Sequence, residues 1–192
     1  LQGFVTFVLA RHRAIDDLIL TNGSDQVVFL GAGYDTRPAR LCTRLRESLV
    51  FEVDHPDTAH HKAELASAVY AGAELAPTVP VAIDFARESI EERLCEAGLD
   101  PSASTIWVWE GVSMYLPEPA VRDTLEMMAR LSGPGSRVVC DLLSDPRRTG
   151  LLASAQRQVL DATMAWIYSE PFLWHCPRDQ INGFFASCGL SV

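Results

Sequence analysis

The sequence predicts an α/β fold of the doubly wound type, in which helices cover both faces of a mostly parallel sheet. Short apolar runs alternate with longer helical patterns along the 192 residues. Such short apolar runs, each ending at a glycine or an acidic residue, are typical of strands buried on both faces of a parallel sheet. Hydrophobic residues make up 48% of the chain and charged residues 21%, which excludes a disordered chain, a collagen and a coiled coil.

Five runs are predicted strands: residues 27–30, 49–53, 80–83, 105–109 and 137–140. Apolar residues at helical spacing predict helices over residues 4–20, 57–72, 89–97, 119–131, 151–168 and 177–187. Residues 172–174 are expected to be a short strand or a loop, and residues 189–192 to begin a further strand. No internal repeat or flexible linker interrupts the alternation, so we expect residues 1–192 to be a single domain. Because the chain starts at Leu1 and stops where a further strand begins, we expect this domain to be truncated at both ends.

The charge balance limits the partners. Acidic side chains number 25 and basic ones 16, giving a net charge of −9, and such a surface disfavours nucleic acid and anionic lipid. No uncharged stretch is long enough to span a bilayer. The five cysteines are scattered and form no CxxC pair, which favours reduced thiols in a cytoplasmic protein. The histidines lack metal-ligand spacing, so no metal is expected.

In such a sheet, we expect the ligand-binding site beyond the carboxyl ends of the strands, at the point where the strand order reverses. The first predicted strand is followed by the turn Gly31-Ala32-Gly33. The other four are followed by Asp54, Asp84, Glu110 and Asp141. Four acidic strand ends are unusual for buried strands and are the main physical indication of a ligand site.

The glycine turn and Asp54 together favour an adenosine ligand. Gly31 and Gly33 let a ligand approach the backbone, because neither carries a side chain. A dinucleotide fingerprint needs a third glycine where Thr36 stands, which disfavours NAD and FAD. Asp54, 21 residues after Gly33, can accept hydrogen bonds from both ribose hydroxyls. The alternatives are a tight turn without a ligand and, for Asp54, an N-cap of the next helix.

Asp84 and Phe85 are candidates for contact with adenine. The carboxylate of Asp84 can accept from the exocyclic amine, and the ring of Phe85 can contact the face of the base. The alternatives are a helix cap for Asp84 and a core position for Phe85.

Glu110 is expected to face a cation, because an unpaired buried carboxylate is unfavourable. That cation is either Arg11 or an amino or sulfonium group of a ligand, and a structural ion pair is the alternative. Arg13 is expected to pair with Asp17 at i,i+4. Arg11 has no acidic residue at that spacing, because Ile15 stands there, so it is freer to bind a carboxylate.

Four segments together resemble the leucine carboxyl methyltransferase family, in its bacterial branch of S-adenosylmethionine-dependent O-methyltransferases. Residues 10–17 (ARHRAIDD) are similar to the segment ARTRxxDD, and residues 28–37 (VFLGAGYDTR) to LGAGxDTR. Residues 51–56 (FEVDHP) are similar to FEVDxP, and residues 109–116 (WEGVSMYL) to xEGxxxYL. Pro38-Ala39 stands where this branch often has Ala-Tyr, a change that the first turn of a helix tolerates.

The resemblance implies a Rossmann-like class I methyltransferase fold and S-adenosyl-L-methionine as the cofactor. It implies that Arg11 holds the methionine carboxylate and that Glu110 lies near the methionine amino end. It implies the remaining cofactor contacts as follows: Gly31, Ala32 and Gly33 along the methionine portion, Asp54 at the ribose, and Asp84 and Phe85 at the adenine. It assigns no catalytic residue and no oligomeric state.

The predicted function is methyl transfer to a carboxylate or hydroxyl acceptor, either a small molecule or a protein C-terminal carboxylate. A carboxylate acceptor needs no general base, whereas a hydroxyl acceptor benefits from one. Two alternatives are kept: a catalytically inactive scaffold that retains the cofactor pocket, and an NAD-dependent oxidoreductase.

Overall fold

The computed structural model describes residues 2–70, 76–144 and 172–192. The helices are α1 (Gln2–Thr21), α2 (Arg37–Arg40), α3 (Cys42–Leu45), α4 (Pro56–Val69), α5 (Ile90–Glu96), α6 (Glu118–Arg130) and α7 (Ile181–Ser187), with a 3-10 turn at Ser113–Tyr115. The strands are β1 (Gln26–Leu30), β2 (Leu49–Asp54), β3 (Thr78–Ala82), β4 (Thr105–Trp109) and β5 (Arg137–Cys140). The helix predicted over residues 151–168 lies outside the described residues.

The described strands form one sheet in the order β3-β2-β1-β4-β5. β1 pairs in parallel with both β2 and β4, and β2 pairs in parallel with β3. The chain builds the sheet outward from β1 to β3 and then continues at β4 on the other side of β1. The strand order therefore reverses between β1 and β4, as in the predicted doubly wound fold.

By its internal contacts the chain divides into two compact units. The first consists of Leu1–Trp109 and Leu131–Val139, and the second of Glu110–Arg130 and Cys140–Val192. The first unit holds β1 to β4 and most of β5. The assignment of one domain stays a prediction.

The central strands are buried throughout, as expected for a parallel sheet covered on both faces. Every residue of β1 and β4 is buried. Trp107 and Trp109 share one face of β4, because side chains alternate along a strand, and they are 0% and 1% exposed. The Nε1 of Trp107 donates to Ser132 Oγ at 2.9 Å, so the indole is buried without an unsatisfied donor.

The position of β3 differs from the prediction. The apolar run predicts residues 80–83, whereas the strand is Thr78–Ala82, with Pro80 inside it and opposite Glu52. Proline has no backbone N–H to donate to a neighbouring strand, so within sheets it occurs mainly on edge strands. Pro80 is tolerated because, in the described sheet, β3 has β2 as its single neighbour.

Other connections also depart from the predicted pattern. The segment between β1 and β2 contains two short helices, α2 and α3, with Pro38 in the first turn of α2 as expected. α7 begins at Ile181, because residues 178–180 form a turn. Residues 172–174 are a loop, and residues 190–192 form no strand.

Gly133→Ala is expected to destabilise the protein by about 1–3 kcal/mol through overpacking. A Cβ at Gly133 would lie 2.0 Å from the carbonyl oxygen of Ser102, and the Gly133 N–H donates to Ala103 O at 3.0 Å. The two backbones therefore cannot separate without losing a hydrogen bond. Gly183→Ala, within α7, is the matched control, because nothing lies within 4 Å of that position and alanine favours a helix. Urea unfolding measures both variants, and a native midpoint for Gly133→Ala would contradict this packing.

Candidate functional site

Three of the predicted site positions follow adjacent strands at the same end of the sheet. Leu30 is in register with Val53, so Gly31 and Asp54, the next residues, lie at the same level. Asp84 follows shortly after the end of β3, the other neighbour of β2. The structure therefore brings the first-strand turn and two of the strand-end carboxylates to one end of the first unit.

The glycine turn after β1 is hydrogen-bonded to β2. The N–H groups of Gly31 and Ala32 both donate to the carbonyl oxygen of Val53, at 2.8 and 3.0 Å. The Gly33 N–H donates to Asp54 Oδ2 at 2.6 Å. Gly33 has a φ of 46°, in the left-handed region that favours glycine, and a Cβ there would meet nothing within 4 Å. The backbone at Gly33 therefore has open space beside it, next to the carboxylate of Asp54.

Asp54 is the last residue of β2 and is not a helix cap, which removes one of its two predicted roles. The N-cap of α4 is His55, whose Nδ1 accepts from the Asp57 N–H at 3.4 Å. The two carboxylate oxygens of Asp54 accept from the N–H groups of Gly33 and His55, at 2.6 and 2.7 Å. A carboxylate offers about four acceptor positions, so acceptor capacity is left for a diol.

Asp84 opens a turn and does not cap α5. Its Oδ1 accepts from the Ala86 N–H at 3.0 Å, whereas the N-cap of α5 is Ser89. The Nε of Arg87 lies 3.5 Å from Asp84 Oδ2. Phe85 is 45% exposed, so the alternative of a core position is wrong. The exposed ring can contact the face of a purine, and the neighbouring carboxylate can accept from the purine's amine.

Arg11 lies on the side of α1 that carries the helix's core contacts. It is half-buried and stands one turn before Ile15. Ile15 and Ile19 belong to the same buried hydrophobic cluster as Ala32 of the glycine turn. The guanidinium carbon of Arg11 lies 5.6 Å from the ring centroid of Phe7, on its own helix.

Glu110 is the first residue of the second unit and is half-buried. The N–H of Gly111 donates to Asp141 Oδ1 at 2.7 Å, and Ser113 Oγ donates to Asp141 O at 2.6 Å. Asp141 therefore accepts hydrogen bonds from the loop after β4, as Asp54 accepts one from the turn after β1. From the sequence alone, this structural role of Asp141 is not distinguishable from a ligand-binding role.

An ion-pair cluster that the sequence did not predict lies beside the glycine turn. We call Asp16, Asp35, Arg37 and Arg40 the Asp16 cluster. Arg37 is 1% exposed; its Nε donates to Asp16 Oδ1 at 2.8 Å and its Nη1 to Asp35. Arg40 Nη1 donates to the other oxygen of Asp16 at 2.9 Å. Local spacing rules do not relate residues 16 and 37, but both fall in segments that resemble the family, which was the available signal.

The Arg13–Asp17 pair was predicted and is confirmed. Its atoms approach to 2.9 Å, and its side chains are 76% and 49% exposed. Such an exposed pair contributes little to stability. It contrasts with the largely buried Asp16 on the same helix.

Asp16→Asn is expected to lose stability near pH 6 and to differ less from the native protein near pH 3. Burial opposes ionisation, but the hydrogen bonds and charges of Arg40 and Arg37 outweigh it and hold the pKa of Asp16 below its ordinary 3.8. A lowered folded-state pKa gives a stabilisation that is complete well above 3.8. It is lost as the pH falls below that value through the folded-state pKa. Urea unfolding at both pH values tests this, and an equal loss at both would contradict it.

No helix in the described part of the chain is long and apolar enough to cross a membrane. Within residues 2–70, 76–144 and 172–192, no group of three or more His, Cys, Asp or Glu side chains could hold a metal ion.

Comparison with protein families gives a match to leucine carboxyl methyltransferase over residues 1–129. A protein of Mycobacterium sp. (strain KMS), named as a candidate S-adenosyl-L-methionine-dependent methyltransferase, is 36% identical over 175 residues. That alignment covers 86% of this chain and 57% of the relative. A protein of Frankia alni with the same kind of name is 38% identical over 135 residues, covering 68% of this chain and 46% of the relative. The chain therefore spans about half the length of these relatives.

Solved structures confirm the predicted Rossmann-like methyltransferase fold. A candidate O-methyltransferase from Nostoc punctiforme matches with a TM-score of 0.64 at 12% identity, covering 93% of this chain and 49% of that one. Human N-acetylserotonin methyltransferase in complex with S-adenosylmethionine matches with a TM-score of 0.57 at 16% identity, covering 90% and 43%. At these identities the likeness concerns the fold alone.

Proposed function

This chain belongs to the leucine carboxyl methyltransferase family, and from that premise we propose that it binds S-adenosyl-L-methionine and transfers a methyl group to an oxygen acceptor. The observation that carries the proposal is the contact between the Gly33 N–H and Asp54 Oδ2. It holds a carboxylate with remaining acceptor capacity beside an open glycine turn, an arrangement suited to a ribose. The names of the relatives support the same cofactor.

Each predicted site residue has a role in this proposal. Asp54 accepts from the ribose hydroxyls, and the turn beside it admits the ligand because Gly33 has open space where a Cβ would stand. Phe85 and Asp84 contact the adenine, which the exposed ring of Phe85 supports. The methionine portion is held as follows: Arg11 at the carboxylate, Gly31 to Gly33 along the chain, and Glu110 near the amino group.

The bound cofactor supplies a methyl group on a positively charged sulfur, which is already activated for transfer. The protein's task is therefore to hold and orient the acceptor and the cofactor. We propose a carboxylate or hydroxyl acceptor, on a small molecule or at a protein C-terminus, and we assign no general base. The acidic composition and the five free cysteines support a cytoplasmic protein that has no nucleic-acid partner.

A thermal-shift experiment with the demethylated cofactor, S-adenosylhomocysteine, and with NAD tests the proposal. A ligand present at 100 times its Kd stabilises a folded protein by about 2.7 kcal/mol, which raises Tm by several degrees. We expect S-adenosylhomocysteine to raise Tm and NAD to leave it unchanged. The opposite result would favour an oxidoreductase. Cofactor binding without methyl transfer to any of a panel of acids and alcohols would favour a scaffold.

A further inference from the structure

We propose that the Asp16 cluster sets the position of Arg11 relative to the glycine turn. Asp16 and Arg37 are then positioning residues for the amino-acid end of the cofactor. This inference rests on the proposed function, and it concerns contacts within the first unit alone.

The level of Arg11 along the sheet follows from how α1 connects to β1. Only residues 22–25 join the two elements, and both contribute side chains to the same buried cluster, so we take the helix and the strand as antiparallel neighbours. From Thr21 back to Arg11 the helix rises about 15 Å. From Gln26 to Gly31 the strand advances about 17 Å. Arg11 is therefore level with the glycine turn at the carboxyl end of β1.

Both apolar packing and ion pairs hold α1 in place at this level. Ile15 and Ile19 pack in the same cluster as Ala32, but apolar packing is not directional. Asp16 adds direction, because Arg37 and Arg40 donate to its two oxygens from α2. The ion pairs therefore fix the rotation and the axial position of α1.

The Asp16 cluster is also connected to the glycine turn. Asp35 stands two residues after Gly33, and its Oδ1 accepts from the Arg37 N–H at 2.8 Å while its Oδ2 pairs with the Arg37 side chain. The buried Arg37 guanidinium thus contacts the end of the turn on one side and α1 on the other. A change in Asp16 or Arg37 should shift Arg11 against the turn. Asp54, Asp84 and Phe85, none of them on α1, should keep their places.

A double-mutant cycle on S-adenosylhomocysteine binding tests the inference. Titration calorimetry gives the affinity of four proteins: the native chain, the Arg11→Gln variant, the Asp16→Asn variant and the double variant. If Asp16 acts through Arg11, Asp16→Asn should weaken binding about tenfold in the native background and less than about twofold in the Arg11→Gln background. Asp17→Asn makes the same charge change one residue along the helix, at the exposed pair, and should alter affinity less than about twofold in either background.

A second ligand gives an independent readout. 5′-Methylthioadenosine keeps the adenosine and the sulfur but lacks the amino acid. Its affinity should change less than about twofold in Asp16→Asn, because its contacts do not involve Arg11. A general loosening of the fold would instead weaken both ligands equally.

Additive losses in the cycle, or native affinity for S-adenosylhomocysteine in Asp16→Asn, would overturn the inference. If Asp16→Asn does not fold, Arg40→Gln removes only the 43% exposed partner of Asp16 and should give a smaller, equally non-additive loss. A native chain that binds neither ligand would overturn the proposed function instead, so the two failures are distinguishable.

Discussion

Asp54→Ala should weaken S-adenosyl-L-methionine binding by at least about 100-fold while the protein stays folded. Two hydroxyl hydrogen bonds to a charged acceptor account for a loss of that size. The substitution also removes the acceptor of the Gly33 N–H, so the glycine turn loses one of its attachments to β2. Equilibrium dialysis with radiolabelled S-adenosyl-L-methionine measures the change.

Two further variants make this result specific. Asp57→Ala removes a carboxylate that is 95% exposed in the first turn of α4, and it should bind as the native chain does. Asp54→Asn keeps one oxygen acceptor and should fall between the native chain and Asp54→Ala. Native affinity in Asp54→Ala would show that this carboxylate does not hold the ribose.

Trp107→Ala should lower the free energy of unfolding by about 3–5 kcal/mol. The side chain is 0% exposed in the central part of the sheet, so its removal leaves a large cavity. Its loss also leaves Ser132 Oγ without the indole donor. Urea unfolding followed by circular dichroism measures the change.

Ser132→Ala separates the hydrogen bond from the packing of the ring. It keeps the indole in place but removes its acceptor, and it should lower the free energy of unfolding by about 1–3 kcal/mol. If Trp107→Ala were no more destabilising than Ser132→Ala, the ring would not be a core residue of this sheet.

The parts of the fold that follow from local apolar runs were predicted well. The bounds of β4 and β5 agree with prediction, and β1 and β2 each differ from it by one residue, because each strand is a short apolar run with a clear polar end. β3 begins two residues before the predicted run, because Thr78 and Val79 pair with Val50 and Phe51 of β2. Tertiary context of this kind is not encoded in a local pattern.

In the candidate site, too, some features follow from the local sequence and others depend on tertiary contacts. The positions of Asp54 and Asp84 at the strand ends were predictable, because parallel strands bring their carboxyl ends together. For Asp54 the sequence allows a ribose contact or an N-cap of the next helix. The structure excludes the N-cap, because His55 caps α4, and it adds a contact with the Gly33 N–H that the sequence does not predict. The contact between Asp16 and Arg37 depends on how α1 lies against α2, which no spacing rule describes.

Cofactor binding by the 192-residue chain is measured by titration calorimetry with S-adenosylhomocysteine. We expect saturable heat with a stoichiometry of about one ligand per chain, because the order of the described strands reverses once, beside the glycine turn. A folded chain that produces no heat of binding with this ligand or with S-adenosyl-L-methionine would contradict this expectation.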